Sequence, residues 1–66
     1  MKIFLNGVET DCFEDLTISQ LIHRHGLSPE TVLVERNGTA MHRREWRAQT
    51  LQENDRIEIL QVAAGG

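Results

Sequence analysis

The sequence predicts an α+β fold in which one helix lies across one mixed β-sheet. Three observations carry that expectation. Two Asn-Gly pairs, Asn6-Gly7 and Asn37-Gly38, each sit among β-forming runs and mark hairpins. One stretch, residues 16–27, combines helix-start, helix-face and helix-stop signals. A long alternating segment, Arg56 to Val62, closes the pattern with a final strand.

Residues 1–13 read as the first hairpin. Met1, Ile3 and Leu5 alternate with Lys2, Phe4 and Asn6, the period-2 signature of a half-buried strand. Both residues of Asn6-Gly7 tolerate the positive φ of a type I′ turn. Val8, Thr10 and Cys12 then alternate with Glu9 and Asp11, so Val8 and Cys12 are expected inward and the acids outward. Phe4 is expected to face away from the main core.

The helix follows. Thr17 suits the N-cap, Gln20 completes a capping box, and Leu16 and Leu21 occupy the two positions of a hydrophobic staple. Ile18, Leu21, Ile22 and His25 fall on one helix face. Gly26 fits the left-handed position after the helix, Leu27 its hydrophobic contact, and Pro29 prevents continuation. Glu14 and Asp15 complement the positive helix start.

Thr31 to Arg36 predicts a third strand, with Val32 and Val34 inward and Leu33 outward. Thr39 to Met41 can pair briefly, and Arg43 to Arg47 reads as a helical turn. Leu51 anchors a loop whose turn is Asn54-Asp55. In the last strand Ile57 and Ile59 point in, Leu60 and Val62 out. The first and last strands are long and apolar enough to be central, parallel neighbours. Such an order is the β-grasp arrangement of ubiquitin-like proteins: four to five strands, one main helix, and a flexible Gly-Gly tail. Residues 1–62 are expected to form the domain and 63–66 the tail.

Size and charge limit what such a domain can do. A chain of 66 residues buries only about 60% of its unfolded surface, so a deep substrate cleft would consume the core. The single Cys12 excludes an internal disulfide and fits a reducing, cytoplasmic setting. No apolar run is long enough for a membrane helix and no leader pattern precedes the first strand. A net charge of −3 argues against nucleic acid and suits a partner with a basic surface. A monomer is expected when the chain is free.

Gly65-Gly66 follows the last strand directly. Glycine loses more conformational freedom on ordering than any other residue, so two at an end do nothing for a fold. They suit a tail threaded through a narrow slot. A frayed end is the bland alternative.

Taken together, the chain resembles the small sulfur-carrier proteins of thiamine biosynthesis, the ThiS family. The resemblance rests on the opening strand with Asn6-Gly7, the Leu16-Thr17-Ile18 helix entry and Asn37-Gly38. It also rests on Arg43-Arg44-Glu45-Trp46 as Arg-x-x-Trp, on Asp55-Arg56-Ile57-Glu58-Ile59, and on Gly65-Gly66. His42 departs from a proline usual in the family, and Asn54 from a glycine. The resemblance implies a protein co-substrate, not an enzyme, with no bound cofactor. An adenylating, ThiF-like partner uses ATP to convert the Gly66 carboxylate to an acyl-adenylate. A sulfur donor such as a cysteine desulfurase then supplies the sulfur of a thiocarboxylate. A ThiG-like thiazole synthase receives it. Gly65 and Gly66 must enter the pocket as a bare ribbon, and Ala63 and Ala64 keep the approach slender.

Docking is expected on Leu60, Val62 and Leu33, which are apolar on the sheet side away from the helix and adjoin the tail. They could instead be cross-strand neighbours that stabilise the sheet. Cys12 reads as a small core hydrophobe, not a nucleophile. His23 and His25 do not face each other, and a zinc site is not expected. Arg43, Arg44 and Arg47 read as a solvated turn, and Trp46 as a cap on the core edge. Alternatives to a thiamine carrier are the small subunit of molybdopterin synthase, a ubiquitin-like modifier, and a plain interaction module.

Overall fold

The structure, a computed structural model, describes residues 1–62. It contains β1 (Lys2–Leu5), β2 (Val8–Asp11), α1 (Ile18–Arg24), β3 (Val32–Arg36), β4 (Thr39–Met41) and β5 (Arg56–Gln61). The five strands form one sheet ordered β2-β1-β5-β3-β4. β1 and β5 are parallel and all other pairs antiparallel, as expected for a ubiquitin-like β-grasp fold.

Each hairpin turn has the geometry its sequence demands. Asn6 and Gly7 have φ of 49° and 82°, and Asn37 and Gly38 have 51° and 85°, the paired left-handed values of a type I′ turn. Helix α1 begins where Thr17 Oγ1 accepts the Gln20 N–H at 3.1 Å while Gln20 Oε1 accepts the Thr17 N–H at 2.9 Å. It ends in a Schellman motif. There Gly26, at φ 67°, donates to the His23 carbonyl, and Leu27 donates to the Ile22 carbonyl.

The core lies between α1 and one face of the sheet. Ile3, Leu16, Ile18, Leu21, Ile22, Val32, Val34, Trp46, Leu51, Ile57 and Ile59 are buried there. Leu51 is tied in by its N–H to the Leu16 carbonyl, 2.8 Å. Trp46 is 3% exposed, so it belongs to the core itself, and its indole N–H donates to the Met41 carbonyl at 3.3 Å.

Several local expectations change. The helix proper is Ile18–Arg24, bounded by the expected Thr17 cap and Gly26, but His25 is its exposed C-cap and not a member of the buried face. His25 leaves the apolar face because helical geometry has already stopped at its position. Thr31 closes a 3-10 turn, Pro29–Thr31, before β3 begins. Val62 lies just past β5, although its N–H still bonds the Thr31 carbonyl at 2.8 Å. Val8 has the inward phase opposite Leu5 but is 64% exposed. It sits at the hairpin tip on an edge strand, and among the described residues none covers it.

The two family departures fit their sites. His42 has φ −70°, inside the range a proline ring imposes, and its N–H donates to Glu45 Oε2 at 3.3 Å. Asn54 has φ 69°, which glycine or asparagine tolerates best.

Candidate functional site

The two central strands place the end of β5 at the middle of the sheet, and β5 delivers the chain to Val62. Gly65 and Gly66, with Ala63 and Ala64, lie outside the described residues. Among the described residues the candidate site is the surface that leads into residue 63.

On the sheet face away from α1, Leu33 and Leu60 are direct cross-strand partners. They are 57% and 51% exposed, and Val62 is 42% exposed. The three form the apolar strip that alternation predicts, immediately before residue 63. One pair further back, Glu35 faces Glu58 across the same two strands. Neither carboxylate has an ion-pair partner among the described residues. Like charges directly opposite repel, so this face combines an apolar strip with an uncompensated acidic pair. Arg56 lies on the same face of β5, and a shallow recess of about 390 Å³ is lined by Glu35, Gly38, Arg56, Glu58 and Leu60.

The hydrogen bonding that holds β5 in place was only partly visible in the sequence. Asp55, expected merely as a turn residue, is a buried carboxylate at 6% exposure. It accepts the Gln52 N–H at 2.8 Å, the Asn37 carboxamide at 3.0 Å, and pairs with the Arg36 guanidinium at 2.8 Å. Burial raises its pKa, but those three partners outweigh burial and leave the carboxyl below its usual range. Asn37 also accepts the Arg56 N–H at 2.9 Å. Asn6 does the same for Ile59: Oδ1 accepts its N–H at 2.7 Å and Nδ2 donates to its carbonyl at 3.3 Å. Both hairpin asparagines thus brace β5 through their side chains. The sequence carried no separate signal for this, because turn preference alone accounts for Asn at both positions.

Other singled-out residues do not converge. Cys12 is half-buried against the core, and burial pushes its thiol up, away from the thiolate needed in a nucleophile. His23, His25 and His42 are exposed, and no three metal-binding side chains cluster among the described residues. Arg43, Arg44 and Arg47 do gather on one exposed surface. Their 3-10 turn contacts the start of α1, where the Ser19 N–H bonds the Trp46 carbonyl at 3.1 Å. No helix among the described residues is long and apolar enough to cross a membrane.

Residues 3–66 match the family model described as ThiS family. The chain belongs to the ThiS family. A crystal structure of the thiamine biosynthesis protein ThiS from Geobacter metallireducens superposes on it with a TM-score of 0.85 at 29% identity, over 100% of both chains. A solution structure of a thiamine biosynthesis protein from the same organism gives 0.81 at 30% identity, over 100% of this chain and 88% of the other. In sequence, a thiazole synthase of Magnetococcus marinus is 39% identical over all 66 residues, and this ThiS-family chain spans 20% of its length.

Proposed function

We propose that this ThiS-family chain is a sulfur carrier for thiazole formation in thiamine biosynthesis, acted on by enzymes and not itself one. The observation that carries the reading is the family match running through Gly66, the residue whose carboxylate would react. A carboxylate is a poor electrophile because oxide is a very poor leaving group. Attack of the Gly66 carboxylate on the α-phosphate of ATP, in an adenylating partner, forms an acyl-adenylate and releases pyrophosphate. A persulfide sulfur then attacks the acyl carbon and AMP leaves. Cleavage of the sulfur–sulfur bond by a thiol leaves the thiocarboxylate. Holding the tail in line with the α-phosphate supplies the orientation part of the rate.

The body of the domain supplies docking. The Leu33, Leu60 and Val62 strip is exposed next to the departing tail, and the Glu35–Glu58 pair behind it suits a partner with cations around an apolar centre. Similarity to a stretch of a thiazole synthase supports such an enzyme as the destination of the sulfur. ATP belongs to the activating enzyme, and this chain needs no cofactor of its own. Genetic rescue tests the pathway. The chain is expected to relieve thiazole auxotrophy in a carrier-deficient strain. Rescue of molybdenum-cofactor deficiency instead would assign it to the other pathway.

A further inference from the structure

β1 and β5 part before β5 ends. Their register is Phe4 with Arg56 and Leu5 with Ile57, and the last backbone bond between them runs from the Asn6 N–H to the Ile57 carbonyl, 2.8 Å. The chain then turns into the first hairpin, while β5 continues to Gln61 against β3.

Antiparallel pairing uses alternate residues of a strand. The bonds from Asn37 N–H to the Arg56 carbonyl and from Val62 N–H to the Thr31 carbonyl place the β3-directed groups at the even positions. Ile59 and Gln61 therefore turn their backbone groups to the side that β1 has vacated. At Ile59 a side chain takes β1's place. The Asn6 carboxamide offers the same C=O and N–H as a peptide unit and meets both Ile59 groups, at 2.7 and 3.3 Å. Gln61 has no such bond among the described residues. Ile59, core-facing and 8% exposed, is thus the last β5 residue held on both sides.

We infer that Asn6 is a positioning residue for sulfur loading: its carboxamide fixes the point from which the reactive end of the chain departs. The inference rests on the carrier reading above. Gly66 lies seven positions beyond Ile59, an extended reach of about 23 Å. Without the carboxamide the bracing on the β1 side retreats two residues to Ile57, about 7 Å, and the end of β5 is held from the β3 side alone, through the Val62–Thr31 bond. The terminal carboxylate then explores more space and meets the α-phosphate in line less often. Aspartate could accept from the Ile59 N–H, but its second oxygen would oppose the Ile59 carbonyl. Asparagine alone of the good type I′ residues serves both the turn and the clamp.

The test uses the full chain as wild type, Asn6→Gly and a destabilised control, Ile22→Val. Glycine keeps the left-handed turn and removes the side chain that carries the carboxamide; the destabilised control accounts for the accompanying loss of stability. Amide exchange by NMR reads the clamp: in Asn6→Gly the Ile59 amide is expected to exchange about tenfold faster, with Leu60, which faces β3, changed far less. Intact-mass kinetics with an adenylating enzyme, ATP and a sulfur source read the positioning. The loading kcat of Asn6→Gly is expected to fall about three- to tenfold with KM unchanged, because docking uses the other sheet face. Ile22→Val should load as wild type. Equal loading by wild type and Asn6→Gly, or an equal loss in Ile22→Val, overturns the positioning role. A wild type that takes no sulfur at all removes the carrier reading instead, and this inference with it.

Discussion

Asp55 is the one buried charged side chain among the described residues, and three elements meet on it. Arg36 reaches it from β3 and also donates to the Thr50 carbonyl at 3.0 Å, while Gln52 and Asn37 supply its remaining bonds. Removing one partner from such a pair strands the other, at a cost on the order of 3 kcal/mol. Because the folded pKa is depressed, Asp55 contributes stability that is fully present above the unfolded value, about 3.9. That stability is lost as pH falls through the lower folded value. Asp55→Asn should therefore lower thermal stability at pH 7 and flatten the stability loss below about pH 4, as read by calorimetry across pH. A variant that kept the wild-type acid slope would remove Asp55 from the explanation. In the sequence this residue was legible only as half of an Asn-Asp turn. Its burial depends on Arg36, which lies 19 positions away, and no local pattern reports a contact at that separation.

At the scale of elements, local chemistry was most readable where a few adjacent residues decide the geometry. Thr17 and Gln20 form the capping box, Gly26 and Leu27 the Schellman motif, and the two Asn-Gly pairs the turns. Thr17→Ala deletes one capping bond and should cost about 1 kcal/mol, a fall in Tm of about 4–8 °C for a domain this small. An unchanged Tm would mean the Thr17 hydroxyl adds nothing to a helix start already held by packing and by the backbone bonds of Thr17, Ile18 and Ser19. Readings failed where coverage, not phase, decides exposure. Val8 alternates correctly but lies at an uncovered hairpin tip, and His25 has the right spacing on a helix that has already ended. The side-chain bracing of β5 by Asn6 and Asn37 was likewise hidden, since turn preference accounts for both residues by itself. Outward positions were legible throughout β3 and β5. Alternation alone puts Leu33, Leu60 and Val62 on the open face.

At the scale of the molecule, the sheet order makes β5 central and gives its end a fixed frame on the β3 side. Stability and function should separate accordingly. Leu60→Ala with Val62→Ala removes cross-strand contact with Leu33 and should cost less than about 1 kcal/mol. If the strip is the docking centre, affinity for the adenylating enzyme should fall about tenfold or more, measured by calorimetric titration. Unchanged affinity would leave the strip as sheet packing only. The most direct test of the carrier itself is intact-mass spectrometry of wild type and Gly66→Ala after incubation with an adenylating enzyme, ATP and a cysteine-derived sulfur source. The expected result is replacement of one oxygen by sulfur at Gly66 in wild type and none in Gly66→Ala, with equal melting temperatures. An unchanged wild-type mass alongside a carrier that the same enzyme does load would contradict the account.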